Sequence, residues 1–106
     1  MSSYIIAGSS DKQELGECEV IANLIKSSYK NIDFRIVMKN PDEWTDHIQN
    51  VLRIYGFKKL YNPIFYTLDG KLIGGIDGFR VLADTKFGLS TLISNTITPA
   101  VNMKIF

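Results

Sequence analysis

Four consecutive apolar residues, Tyr4-Ile5-Ile6-Ala7, halted by Gly8, constrain this chain more than any other feature. A short β-favouring run with no polar alternation suits a strand covered on both faces. The chain therefore has to supply layers for both sides of a sheet. The next stretch supplies one. Ser9, Ser10 and Asp11 offer helix N-caps, and Ser10 with Gln13 has capping-box spacing. Leu15, Cys18, Ile21, Ala22, Leu24 and Ile25 then share one broad face of a helix that runs to about Tyr29. Lys26, Lys30 and Asn31 mark its end.

Phe34 to Met38 reads as a second strand. A helix between the two strands makes them a parallel pair, because such crossovers are right-handed and return the chain in the same direction. Asn40-Pro41-Asp42-Glu43 opens a second helix with an N-cap residue, a proline at the first helical position and acids in the first turn. Its buried stripe is Trp44, Ile48, Val51, Leu52 and Tyr55, and Gly56 is placed to stop it. Pro63 precedes a third strand, Ile64 to Leu68. Asp69-Gly70 is a hairpin turn, and Lys71 to Gly74 returns antiparallel as a fourth strand. Gly75 to Gly78 reads as a turn, with Asp77 capping a third helix over roughly residues 79–84. The expected fold is α/β, in the order βαβαββα, with a four-stranded mixed sheet flanked by helices over residues 1–86 and a tail over 87–106.

This order is that of the thioredoxin fold without an N-terminal extension. Pro63 stands where that fold places a cis-proline facing the active site, and Asp69-Gly70-Lys71-Leu72-Ile73-Gly74-Gly75 followed by Asp77 resembles a glutaredoxin segment. More narrowly, the chain resembles the N-terminal thioredoxin-like segment of a malate-dehydrogenase-like protein of ciliated cells. The residues that carry this are Ile6-Ala7-Gly8 with Asp11, Glu19-Val20-Ile21-Ala22, Asp33-Phe34-Arg35-Ile36, Pro41-Asp42-Glu43-Trp44, Asn62-Pro63-Ile64 and Leu72-Ile73-Gly74-Gly75. The resemblance implies a ligand groove formed by Lys12, Asn62, Pro63, Ile64, Gly74, Gly75, Ile76 and Asp77, with glutathione as its ligand class. It also implies protein partners in a ciliary or axonemal complex. No Gly-x-Gly-x-x-Gly phosphate loop occurs, so nicotinamide chemistry does not carry over.

The sequence departs from glutaredoxins where their chemistry resides. A reactive thiolate sits at the N-terminus of the first helix, where the dipole and free N–H groups stabilise the anion. That position falls at about Lys12, with the second cysteine's place near Leu15, and neither carries sulfur. Cys18, the single cysteine, lies about two turns into the helix on its apolar stripe, the place of a small buried hydrophobe. Without a thiolate there is no thiol–disulfide exchange. His47, the single histidine, sits at the edge of the second helix's apolar face, and no set of residues has metal-ligand spacing. The expectation is a non-catalytic, cofactor-free structural or protein-binding module; the alternative is a glutathione-binding or weakly redox-active protein.

Charge enters only to exclude partners. The net charge is +1 with 22% charged residues, and Lys58-Lys59 is a solvated loop pair, so no nucleic-acid surface is expected. No run is long and apolar enough to span a membrane. Met1-Ser2-Ser3 lacks the basic segment and apolar run of a signal peptide, which makes the cytoplasm the expected location. The tail is the exception to ordinary patterning. Phe87 to Met103 contains no charged residue, yet Pro99 and its polar residues rule out a membrane helix. Such a segment packs on its own domain or docks on a partner, with Leu89, Leu92, Ile93 and Ile97 as the candidate contacts.

Overall fold

The computed structural model describes residues 2–89. In chain order the elements are β1 (Ser2–Ser9), α1 (Gln13–Ser28), β2 (Ile32–Lys39), α2 (Pro41–Tyr55), β3 (Ile64–Thr67), β4 (Leu72–Gly74) and α3 (Ile76–Phe87). They build one mixed four-stranded sheet in the order β2-β1-β3-β4. β1 and β2 are parallel from Ser2↔Ile32 to Ser9↔Lys39, and β1 and β3 are antiparallel from Tyr4↔Thr67 to Ala7↔Ile64. β3 and β4 are antiparallel, with a register shift at Phe65 and Tyr66.

The apolar run that opens the chain occupies the interior of this sheet and explains its two layers. Side chains alternate across a strand. Tyr4 and Ile6 enter the core under α1 and α3, together with Leu15, Cys18, Ala22, Ile25, Phe34, Phe65, Phe79, Ala83 and Phe87. Ile5 and Ala7 enter the opposite core, under α2, with Trp44, Ile48, Val51, Ile64 and Tyr66. The first core is rich in aromatic contacts. Phe65 and Phe79 stack with ring centroids 4.1 Å apart, and Phe34 meets Tyr4 at 5.2 Å. Burying such rings drives the docking of α3 on the sheet, at about 25 cal/mol per Å² of apolar surface removed from water.

Helix boundaries follow local chemistry, with corrections to the sequence expectation at the start of α1 and at both ends of α3. α2 is as read: Asn40 occupies the N-cap, its carbonyl accepts the N–H groups of Glu43 and Trp44 at 2.9 Å, and Gly56 ends the helix with φ 73°. α1 does not use a capping box at Ser10. β1 extends through Ser9, the chain turns with the Lys12 N–H donating to the Ser9 carbonyl at 3.1 Å, and Lys12 itself takes the N-cap position. α3 begins three residues earlier than the sequence suggests. Gly75 is its N-cap, which places Asp77 in the first turn rather than at the cap. The reason is tertiary: a Cβ on Gly78 would lie 2.8 Å from the Ile73 carbonyl oxygen, so only glycine lets the helix start this close to β4. At its other end α3 runs on through Phe87, read from the sequence as the start of the tail. Phe87 is buried, its carbonyl accepts the Tyr29 hydroxyl at 3.2 Å, and Gly88 closes the helix with φ 62°.

Candidate functional site

The end of β1 and the loop before β3 are locked together, and this junction shapes the site. Gly8 is hemmed in: a Cβ there would stand 3.2 Å from both Pro63 Cβ and Leu15 Cδ1. The Ser9 N–H donates to Asn62 Oδ1 at 2.9 Å, and Asn62 Nδ2 donates back to Ser9 Oγ at 2.9 Å. The Ser9 hydroxyl in turn donates to the Asp11 carboxylate. Ser9 is only 2% exposed, so these bonds satisfy polar groups that water cannot reach. The Asn62–Pro63 peptide bond is cis.

Beside this junction lies a groove of about 340 Å³, lined by residues 61–63 on one side and 73–78 on the other. Gly74 has φ 133°, in the region that favours glycine, and the Tyr61 ring lies so close over Gly75 that a Cβ there would be 2.7 Å from Tyr61 Cδ1. The groove opens on the first turn of α3, whose N–H groups have no intrahelical acceptors. Polar character comes from this turn and from Asp77, whose side chain is 95% exposed and sits 3.5 Å from Arg80. Arg80 is chiefly held elsewhere, by two hydrogen bonds to the Glu17 carboxylate at 2.8 and 2.9 Å that tie α3 to α1.

Six of the residues expected at the groove line it: Asn62, Pro63, Gly74, Gly75, Ile76 and Asp77. Two do not. Ile64 is wholly buried, because strand alternation turns its side chain into the core under α2. Lys12 is exposed at the N-cap of α1, outside the groove wall. The sequence also brings Tyr61 to this site, directly ahead of Asn62-Pro63, and it lines the groove; Ile73 and Gly78 were missed, and the packing of α3 on β4 brings them in. Of the tail contacts, Leu89 is half-buried against the core under α1 and α3. Leu92, Ile93 and Ile97 lie outside the described residues.

Cys18 is fully buried between Leu15 and Ala22. Burial, with the Glu17 charge behind it, pushes its thiol from 9.0 up to about 12, against a smaller opposing effect of Arg80. It is therefore a thiol, not a thiolate, at neutral pH, the reverse of what disulfide exchange needs. His47 is half-buried beside Trp44, 6.0 Å between rings, and its Nε2 is buried with no hydrogen-bond partner. Burial and, secondarily, Lys39 hold its pKa below the usual 6.5. Among the described residues no group of three or more His, Cys, Asp or Glu could hold a metal ion, and no helix is long and apolar enough to cross a membrane.

Comparison with known proteins adds one partial likeness. The chain is 26% identical over 97 residues to "Putative malate dehydrogenase 1B" of the lancelet Branchiostoma floridae. The match covers 86% of this chain and 19% of that protein, so the chain spans only a small part of its relative's length. No protein-family model matches, and no solved structure matches.

Proposed function

We propose that this chain is a thioredoxin-like domain of the glutaredoxin type that has given up thiol chemistry and serves as a structural or protein-binding module. The observation that carries the reading is the state of its sulfur. The N-terminal turn of α1, which faces the Pro63 loop across Gly8, carries Lys12 and Leu15, and Cys18 is sealed in the core as a neutral thiol. The strand order β2-β1-β3-β4 with the α1 crossover supports the thioredoxin-like assignment, as do Pro63 immediately ahead of β3 and the Gly74-Gly75 corner at the start of α3. A ciliary or axonemal partner follows only from the sequence resemblance. The likeness to part of a putative malate dehydrogenase supports a place for this chain's fold inside a larger protein. A cytoplasmic location belongs to the same proposal.

A disulfide-reductase assay on the native chain and on Cys18→Ser tests the reading. Equal background rates are expected; a cysteine-dependent rate overturns it. The second reading, a groove that still holds glutathione without reducing anything, rests on the groove between residues 61–63 and 73–78. An amide-resolved NMR titration with reduced glutathione separates the two. Shifts clustered at residues 62–64 and 74–77 favour the second reading, and no shift at millimolar ligand leaves protein partners as the occupants.

A further inference from the structure

The two edges of the sheet are unlike. β4 has three residues, sits opposite a register shift and ends on the left-handed Gly74. Shortness and irregularity of this kind keep an edge from templating another strand. β2 has neither protection. It is eight residues long, pairs with β1 in unbroken register, and contains no proline or glycine. Its other edge meets no strand among the described residues. It presents a regular row of main-chain donors and acceptors that another strand can use.

Charge decides which strand fits. Asp33 and Arg35 are two residues apart on one face of β2, 3.7 Å from each other, with side chains 39% and 59% exposed. Ile32, Phe34 and Ile36 lie on the other face, in or against the core under α1 and α3. The geometry points to a second copy of this chain as the occupant, with β2 pairing antiparallel to its two-fold mate about Phe34. In that register Asp33 stands opposite Arg35 of the second copy, and Arg35 opposite its Asp33. Residues opposite each other in an antiparallel pair point to the same face. The pairing therefore makes two ion pairs on one face and two Ile32–Ile36 contacts on the other. Like charges at positions 33 and 35 would make this strand repel itself; opposite charges make it self-complementary. The product is a continuous eight-stranded sheet, and its small contact makes it a weak, concentration-dependent dimer.

Sedimentation velocity on the full chain at high micromolar concentration reads the association. Asp33→Arg and Arg35→Asp alone each set like charges opposite one another, and each is expected to weaken the dimer by on the order of tenfold. The double variant restores opposite charges and the dimer. Both side chains are exposed, and far-UV circular dichroism checks that each variant keeps its fold. Amide exchange in β2 of the unmodified chain should also slow as concentration rises. A chain that stays monomeric overturns the inference, as does a dimer indifferent to the single substitutions. So does a loss in the single variants that the double variant fails to repair, or exchange in β2 independent of concentration.

Discussion

Asn62 and Ser9 hold each other by two reciprocal hydrogen bonds, each 2.9 Å, across fifty-three residues of sequence. The amide of Asn62 both accepts from the Ser9 main chain and donates to its hydroxyl, so the pair fixes the end of β1 against the loop that builds one wall of the groove. Asn62→Ala leaves the buried Ser9 N–H without an acceptor, at a cost of about 1–3 kcal/mol in stability. Urea denaturation measures this, and the largest amide shifts should fall at Gly8–Asp11 and Tyr61–Ile64. Asn62→Asp is expected to be no rescue, since a carboxylate cannot donate to Ser9 Oγ and adds charge near Asp11.

Gly75 and Tyr61 are expected to be energetically coupled. Gly75→Ala drives a methyl into the Tyr61 ring, and the ring has to swing over the groove, at a cost of about 1–3 kcal/mol. In a Tyr61→Ala background the same substitution should cost much less. A double-mutant cycle by thermal unfolding reads the coupling; additivity of the two substitutions would show that the close approach has no energetic consequence.

Cys18 should react with thiol reagents only when the fold opens. Native protein at pH 7 is expected to label with a neutral disulfide reagent far more slowly than urea-unfolded protein, because its thiol is both buried and neutral. The same shift makes stability pH-dependent. The folded pKa, about 12, lies above the ordinary value of 9.0. The contribution of the buried neutral thiol is therefore complete below pH 9 and is lost as pH rises from there toward 12. Cys18→Ala should flatten the alkaline limb of a denaturation-versus-pH profile.

His47 acts in the opposite direction. Its folded pKa lies below the ordinary 6.5, so the unfolded chain binds the proton more tightly. Its contribution is complete above about pH 6.5 and is lost as pH falls below that value. Urea midpoints measured between pH 7.5 and 5 should decline with acid in the native chain and less steeply in His47→Phe, which keeps an aromatic ring beside Trp44. Identical slopes would place the acid sensitivity in the carboxylates instead.

The order of elements was readable because each carries local chemistry that acts without help from distant residues. The run Tyr4–Ala7 has no polar face, so it has to be a covered strand. Asn40-Pro41 and Gly56 start and stop α2 by backbone preference alone, and Asp69-Gly70 turns the chain with Gly70 at φ 100°. The absence of a cysteine near Lys12 was equally plain, since it is a matter of identity rather than geometry. Other features were set by contacts between segments far apart. The start of α3 at Gly75 depends on how closely that helix approaches Ile73. Ser10 fails as a cap because β1 runs on to pair Ser9 with Lys39, and strand pairing outweighs one side-chain bond. Ile73 and Gly78 join the groove only through the packing of α3 on β4. Local sequence thus determined the elements, their sequence order and the place of the single cysteine on the apolar face of α1. Tertiary structure decided where α1 and α3 begin, that Ile73 and Gly78 join the groove, and which sheet edge meets no strand among the described residues, because these depend on distances between segments that no local pattern encodes.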